Sequence, residues 1–344
     1  MSKRTLITLG LLVVALLALS ILQKQTHDRT TSASDTAPVL SSAFVADEIN
    51  RILIAGADST DVVLERLPDH WVARSAWGHS VEQRKIDELL AELDGLSGQY
   101  RSDSPDILVD YGLGPDATPV TITLFGTEWE PVYTLEVGRK PDSGTGSFVR
   151  DPQTSAVFLT RANILGKLGM YTGLAKPENK FFLDLKVFEC GREDIESIVL
   201  YQGDDTLGME KVFTTPEPAE GDTIAPVPDR STWEWVLVEP ERLPLAKSKV
   251  DGIMNALTNL RAADVDDPGA AMDEYGLWKA DRRVAIALAD GSEFELRIGA
   301  VCEGTAEGQT EYYVMTSMDR TIWVLSGYKV DQIFKELADL LPES

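Results

Sequence analysis

Cysteine and histidine are almost missing from this chain, and basic residues are scarce. Among 344 residues there are two cysteines and three histidines. Two cysteines rule out a disulfide-stapled scaffold and a cysteine-rich metal site. Cys190 and Cys302 remain candidates for one disulfide if the soluble part sits in an oxidising compartment, although sequence alone cannot bring their Cα atoms within bridging distance. His27, His70 and His79 show no helical i, i+4 spacing, and a site made of His70, His79 and Glu82 has no motif behind it. We therefore expect no metal and no cofactor. Lysine and arginine number 32 against 56 acids, a formal charge of −24. Such a surface repels phosphate backbones, because nucleic-acid affinity comes from basic side chains releasing counterions. Nucleic acid is thereby excluded as a partner. Solubility is the ordinary consequence of this charge, and a preference for cationic partners the sharper one. Walker, Gly-x-Ser-x-Gly and Cys–His signatures are absent too, so we expect no catalytic residues and no enzyme.

Long apolar runs are equally rare: there is one. Behind Lys3 and Arg4, residues 5–22 carry no charge for 18 positions. As a helix rising about 1.5 Å per residue the run reaches roughly 27 Å, close to the hydrocarbon thickness of a bilayer. A cleaved signal peptide is the alternative, but its apolar core is usually shorter. No small-x-small pair follows directly, although Ser32-Ala33-Ser34 lies further on. The run reads as a signal-anchor, with residues 1–4 as a cytoplasmic tip, 5–22 in the membrane and 23–47 as a flexible tether. The positive tip favours an inside N-terminus and an outside soluble part, weakened by Lys24 and Arg29 on the other flank. The expected location is thus a bacterial inner membrane, with one crossing and a periplasmic soluble part.

What is there is a repeat. With 43% apolar and 26% charged residues the chain can bury cores, and its length suits two domains of roughly 130–150 residues. A constant offset of 164 lays Trp71 on Trp235, Lys85-Ile86-Asp87 on Lys249-Val250-Asp251, and Tyr111-Gly112-Leu113 on Tyr275-Gly276-Leu277. Ile86, Leu89, Leu90, Leu93 and Leu96 form one helical stripe, and Val250, Ile253, Met254, Leu257 and Leu260 repeat it. Ser80 with Gln83 fits a capping box at the first helix, with Pro244 in the matching place. Val120, Ile122 and Leu124 alternate as a half-buried strand, matched by Val284, Ile286 and Leu288. The next strands end at Gly138 and Gly299. Each copy reads β-β-β-α-β-β-β-β-α, an α+β unit with a mainly antiparallel sheet and helices on one face. The copies span 48–175 and 195–341, joined by a connector at 176–194. The second carries a proline-rich insertion at about 210–230, with Pro216, Pro218, Pro226 and Pro228.

These residues carry a resemblance. The tryptophans before the helices, the Lys-hydrophobic-Asp helix starts, the Tyr-Gly-Leu triplets and the strands ending in glycine resemble a bacterial membrane-anchored tandem-repeat family of unknown function. Its members are associated with auxiliary proteins of gliding-motility-type ABC transporters. The resemblance implies an envelope role beside a transporter and offers no catalytic residue to carry over. The expected function is a non-enzymatic auxiliary or scaffold subunit with a membrane-protein partner. The alternative is a periplasmic binding module for a glycan, peptide or cell-wall fragment in a groove between the repeats. An acid/base hydrolase is the third reading. The sequence leaves the oligomeric state open.

Local candidates for chemistry read mostly as structure. Trp71 and Trp235 could stack a sugar, but each precedes a valine in a strand and reads as core. Asp264, Asp266 and Gly269 imitate calcium-loop positions 1, 3 and 6, yet Tyr275 stands where a bidentate Glu is needed. The glycines within 143–147 lead into a strand, which makes a hairpin turn and no phosphate cradle.

Overall fold

A computed structural model describes residues 36–342 apart from 41–43, 57–60, 116, 128, 143, 172–175, 216–228 and 304–307. The apolar run at 5–22, residues 23–35 of the tether and the four prolines of the insertion lie outside the described residues. Among the described residues no helix is long and apolar enough to cross a membrane.

The first repeat runs β1 (Thr36–Pro38), β2 (Arg51–Ala55), β3 (Val62–Arg66), β4 (Trp71–Ala73), β5 (His79–Ser80) and α1 (Gln83–Leu93). It continues through β6 (Ser97–Ser102), β7 (Val120–Phe125), β8 (Pro131–Val137), β9 (Ser147–Arg150), β10 (Val157–Thr160) and α2 (Ile164–Lys167). After α3 (Asn179–Phe182) and β11 (Lys186–Glu189), the second repeat has β12 (Ile195–Gln202), β13 (Asp205–Thr214), β14 (Asp229–Glu239), β15 (Leu243–Pro244) and α4 (Lys247–Thr258). Then come β16 (Asn259–Arg261), β17 (Asp264–Asp266), β18 (Arg282–Leu288), β19 (Glu293–Val301), β20 (Glu311–Thr316), β21 (Ile322–Ser326), α5 (Gly327–Ile333) and α6 (Leu337–Leu340).

Two compact units result, and their borders differ from the repeat borders. The first holds residues up to Arg66 plus Arg84–Pro177; the second holds Leu67–Gln83 plus Glu178–Ser344. The β4–β5 hairpin of the first repeat thus belongs to the second unit. Strands of the first unit follow the order β1-β6-β10-β9-β8-β7-β2-β3. Those of the second follow β15-β14-β13-β12-β18-β19-β20-β21-β17, beside a small β11-β16 pair. The described pairings are antiparallel, as in β2 with β7 and β12 with β18.

The expected pattern drives both sheets. Ile52 and Ile54 in β2, Ile122 and Leu124 in β7, and Ile198 and Leu200 in β12 are fully buried at every second position. Ile86, Leu89, Leu90 and Leu93 bury the inner stripe of α1; Val250, Ile253, Met254 and Leu257 do the same for α4. The offset of 164 persists in the pairing itself. Val72 faces Ser80 and Ala73 faces His79 in the first hairpin, while Val236 faces Pro244 and Leu237 faces Leu243 in the second.

Two expectations need correction, and the connector gains a structural detail. Ser80 and Pro244 lie in β5 and β15, outside the helices, so neither sits at a cap position. The end of the tether is structured: β1 pairs with β6 and forms the edge of the sheet, and Ala46–Glu48 forms a 3-10 turn. The connector is core material, with Phe182 and Leu183 fully buried. The imitation of a calcium loop also finds its explanation. Asp264 and Asp266 belong to β17, which pairs with β21, and each carboxylate accepts the next residue's amide, at 2.9 and 2.7 Å.

Candidate functional site

The signature tryptophans are buried and the Tyr-Gly-Leu triplets form turns. Trp71 and Trp235 are 2% and 1% exposed, and the buried Lys211 ammonium lies 5.8 Å from the Trp235 ring. Lys211 donates to the carbonyl of Arg192 at 2.5 Å, so its charge is met by a backbone dipole. Lys85, Asp87, Lys249 and Asp251 occupy the first turns of α1 and α4 on half-buried or exposed positions. Arg192 reaches Asp251, its guanidinium donating to the backbone oxygen at 3.2 Å.

The Tyr-Gly-Leu triplets make one turn twice. Gly112 and Gly276 adopt φ of 68° and 66°, a left-handed conformation that glycine takes without steric cost. Leu113 N–H donates to Leu108 O, and Leu277 N–H donates to Met272 O, both at 3.0 Å. The tyrosine carbonyls then accept from Arg139 N–H at 3.0 Å and Ala300 N–H at 2.8 Å. Gly138 and Gly299 lie directly under these carbonyls; a Cβ on either would collide with Tyr111 O or Tyr275 O. Leu113 and Leu277 are fully buried, and the tyrosine rings pack on Phe148 and Tyr313 at 4.7 and 4.5 Å.

Both cysteines are free thiols in the structure. Burial, then the carboxylates of Asp194 and Glu193, push the Cys190 thiol up to about 11. Burial, then Glu311 and Asp266, push Cys302 up to about 12. His70 bonds its neighbour Asp69 on the surface, at 2.7 Å.

A more distinctive feature lies in the second unit. A cleft of about 340 Å³ opens where the turn of the β4–β5 hairpin meets β17 and the β20–β21 turn. Trp77, His79, Asp266, Asp319, Arg320 and Thr321 line it. Trp77 is half exposed, at 51%, and sits at φ 53°, ψ 24°. A bulky residue in this left-handed region is strained by about 1–3 kcal/mol, so the surrounding structure must hold it there. That hold is visible. Ser75 Oγ bonds Asn179 Oδ1 at 2.5 Å, Asn179 Nδ2 donates to Ser75 O at 3.3 Å, and Gly78 N–H donates to Ala73 O at 2.9 Å. Further along, Asp184 N–H donates to Ser80 O and Glu82 N–H to Phe182 O, each at 2.9 Å. Arg261 closes the clamp on Glu82 at 2.8 Å.

His79 stands edge-on to the buried Trp323, with ring centroids 4.9 Å apart. Its Nε2 lies 2.8 Å from Asp184 O. A carbonyl oxygen only accepts, so Nε2 carries the hydrogen of this contact. Asp319 fixes its own turn by accepting from Thr321 N–H at 2.9 Å. Arg320 makes no hydrogen bond or ion pair among the described residues. The cleft therefore offers an outward indole face beside acceptors, a cationic donor and hydroxyls. Such a set can stack a flat apolar face while hydrogen-bonding polar groups around its edge.

Sequence reasoning missed this site. It singled out Trp71 and Trp235, which are buried, and passed over Trp77, Asp319, Arg320 and Thr321. One signal was available. At the offset of 164, Trp77 corresponds to Glu241, although the two hairpins keep the same register. The fold demands no tryptophan there.

A family model described as Domain of unknown function (DUF4340) matches the chain twice, over residues 71–231 and 235–343. Neither curated proteins nor solved structures gave a match.

Proposed function

The chain belongs to the DUF4340 family, and from that premise we propose that it is a non-enzymatic, membrane-anchored envelope protein that works by binding. Its second unit receives a glycan of the cell envelope in the Trp77 cleft. The single observation that carries this reading is a half-exposed indole on a strained backbone that its neighbours hold, with Asp266, Asp319, Arg320 and Thr321 lining the same cleft. Strain of this kind persists where a site is preorganised, and a preorganised aromatic platform loses little entropy on binding. Pyranose rings present flat C–H faces and equatorial hydroxyls, which suit an indole bordered by carboxylates and a guanidinium. The uncharged run at 5–22 supports a single crossing, and the positive tip supports a periplasmic soluble part.

The test is a titration of the full-length protein with a soluble envelope-glycan oligosaccharide, read by tryptophan fluorescence and calorimetry. Binding should be lost in Trp77→Ala while the melting temperature is kept. Trp77→Gly should also lose binding, yet gain about 1 kcal/mol of stability by releasing the backbone strain. Binding that survives Trp77→Ala would overturn the glycan reading. Binding of peptides alone, lost in the same variant, would move the site to the peptide class.

The auxiliary role beside an ABC-type transporter is the second reading, favoured by the anchor and by the acidic surface offered to partners. Crosslinking of the tagged protein in its membrane, followed by mass spectrometry, should then recover transporter subunits in stoichiometric amounts.

A further inference from the structure

The first unit carries a second concavity with a different chemistry. A groove of about 690 Å³ opens between the 3-10 turn at Ala46–Glu48 and the β7–β8 loop. Ile49, only 1% exposed, lies among its lining residues, and Val45 and Val132 expose 56% and 44% of their surface there. Asp47, Glu48 and Glu130 supply three carboxylates, and among the described residues no lysine or arginine lines the groove. The three acidic side chains make no hydrogen bond or ion pair among the described residues. The acidic turn is nonetheless fixed. Arg66 donates to Asp47 O at 3.1 Å and to Ala46 O at 3.2 Å, and Asn50 N–H donates to Phe125 O at 2.9 Å.

We propose that this groove docks a cationic amphipathic segment of a partner protein. Its apolar side chains pack on Val45 and Val132, and its lysines or arginines meet Asp47, Glu48 and Glu130. Charge complementarity identifies the occupant. An acidic segment would add like charge beside three carboxylates and a neutral apolar one would cover them without pairing them, whereas a basic one pairs with them. A second copy of this chain, itself at −24, is disfavoured for the same reason. The overall negative field also steers a basic segment toward the protein and raises its encounter rate at low salt. Because the acidic turn is pinned by Arg66, docking orders little of this chain's backbone, which limits the entropy cost.

The experiment uses the full-length protein in nanodiscs of zwitterionic lipid and a fluorescent peptide of alternating leucine and lysine, followed by anisotropy. We expect saturable binding that weakens at least tenfold in the double variant Glu48→Lys/Glu130→Lys, and more than threefold in Val132→Ser. A control pair with the same charge change in the second unit, Glu274→Lys/Asp331→Lys, should change affinity less than twofold. Raising salt from about 50 to 300 mM should weaken binding, and Trp77→Ala should leave it unchanged, which separates this groove from the glycan cleft. Equal losses in both double variants would overturn the proposal, since general attraction would then suffice. Equal binding of a leucine–glutamate peptide would overturn it as well. So would a protein dimer, seen by light scattering, that the peptide dissociates, which would make a second copy the occupant. Tighter peptide binding after deletion of residues 23–35 would assign the groove to the chain's own tether and equally refute a separate partner.

Discussion

A methyl group added at Gly138 would meet the carbonyl oxygen of Tyr111, whereas one added at Gly252, in α4, would meet nothing within 4 Å. The two alanine variants should therefore move stability in opposite directions. Gly138→Ala should cost about 1–3 kcal/mol by forcing the turn off its strand. Gly252→Ala should gain about 0.5–1 kcal/mol, because alanine is the better helix former. Urea unfolding measures both, and an unchanged midpoint for Gly138→Ala would refute the packed-turn account. The thiols make a second residue-scale case. Cys190 and Cys302 are pushed up to about 11 and 12 by burial, with nearby carboxylates adding to it. Only the thiolate attacks an alkylating reagent, so at pH 8 both should react at least tenfold more slowly in the native protein than in urea. With folded values above the ordinary 9.0, both contribute stability that is present below pH 9 and lost as pH rises toward 11 and 12. At this scale sequence read the framework well and the site poorly. Trp71, Gly112 and Leu277 repeat because packing dictates them, while Trp77 is dictated by nothing in the repeat and left no periodic trace.

At the scale of elements, the apolar stripes of α1 and α4 and the alternation of β7 and β18 were legible because each buries one face and leaves the other wet. Strand β6 was not. Its sequence Ser-Gly-Gln-Tyr-Arg-Ser shows no apolar alternation, and pairing with β10 and β1 places it in the sheet. Strand β17 was hidden for a similar reason, since Asp-Val-Asp imitates a metal loop until β21 claims it. One polar pair fastens two elements from inside. Glu136 of β8 and Arg150 of β9 face each other across the ladder and form a two-pronged ion pair at 2.5 and 3.1 Å. Their side chains are only 13% and 11% exposed. Removing one partner strands the other charge, so Arg150→Ala should cost about 3–5 kcal/mol. The double change Glu136→Leu/Arg150→Met should cost far less, and a double-mutant cycle with the single variants Glu136→Leu and Arg150→Met, read by thermal unfolding, would show the coupling. If the two single variants simply added, the pair would be doing no more than its parts.

For the whole molecule, the discontinuous second unit sets where the chain can be cut. A fragment starting at Glu178 lacks Leu67–Gln83, and with it His79 on Trp323, the Val81 bridge to Leu183 and the amide of Glu82 on Phe182 O. That fragment should bind a hydrophobic dye and be cleaved readily by protease near Phe182. A synthetic peptide covering residues 67–83, added in trans, should restore protection, and protection without the peptide would show that the hairpin is dispensable. The same feature also has a consequence in time. His79 is made about 240 residues before Trp323, and at about 5–20 residues per second the hairpin waits on the order of 10–50 s for its partner strands. During that interval the surface of the second unit that receives the hairpin does not yet exist. Two chains growing side by side could each complete the other, so the segment that builds the cleft also makes crowded synthesis a route to exchanged dimers.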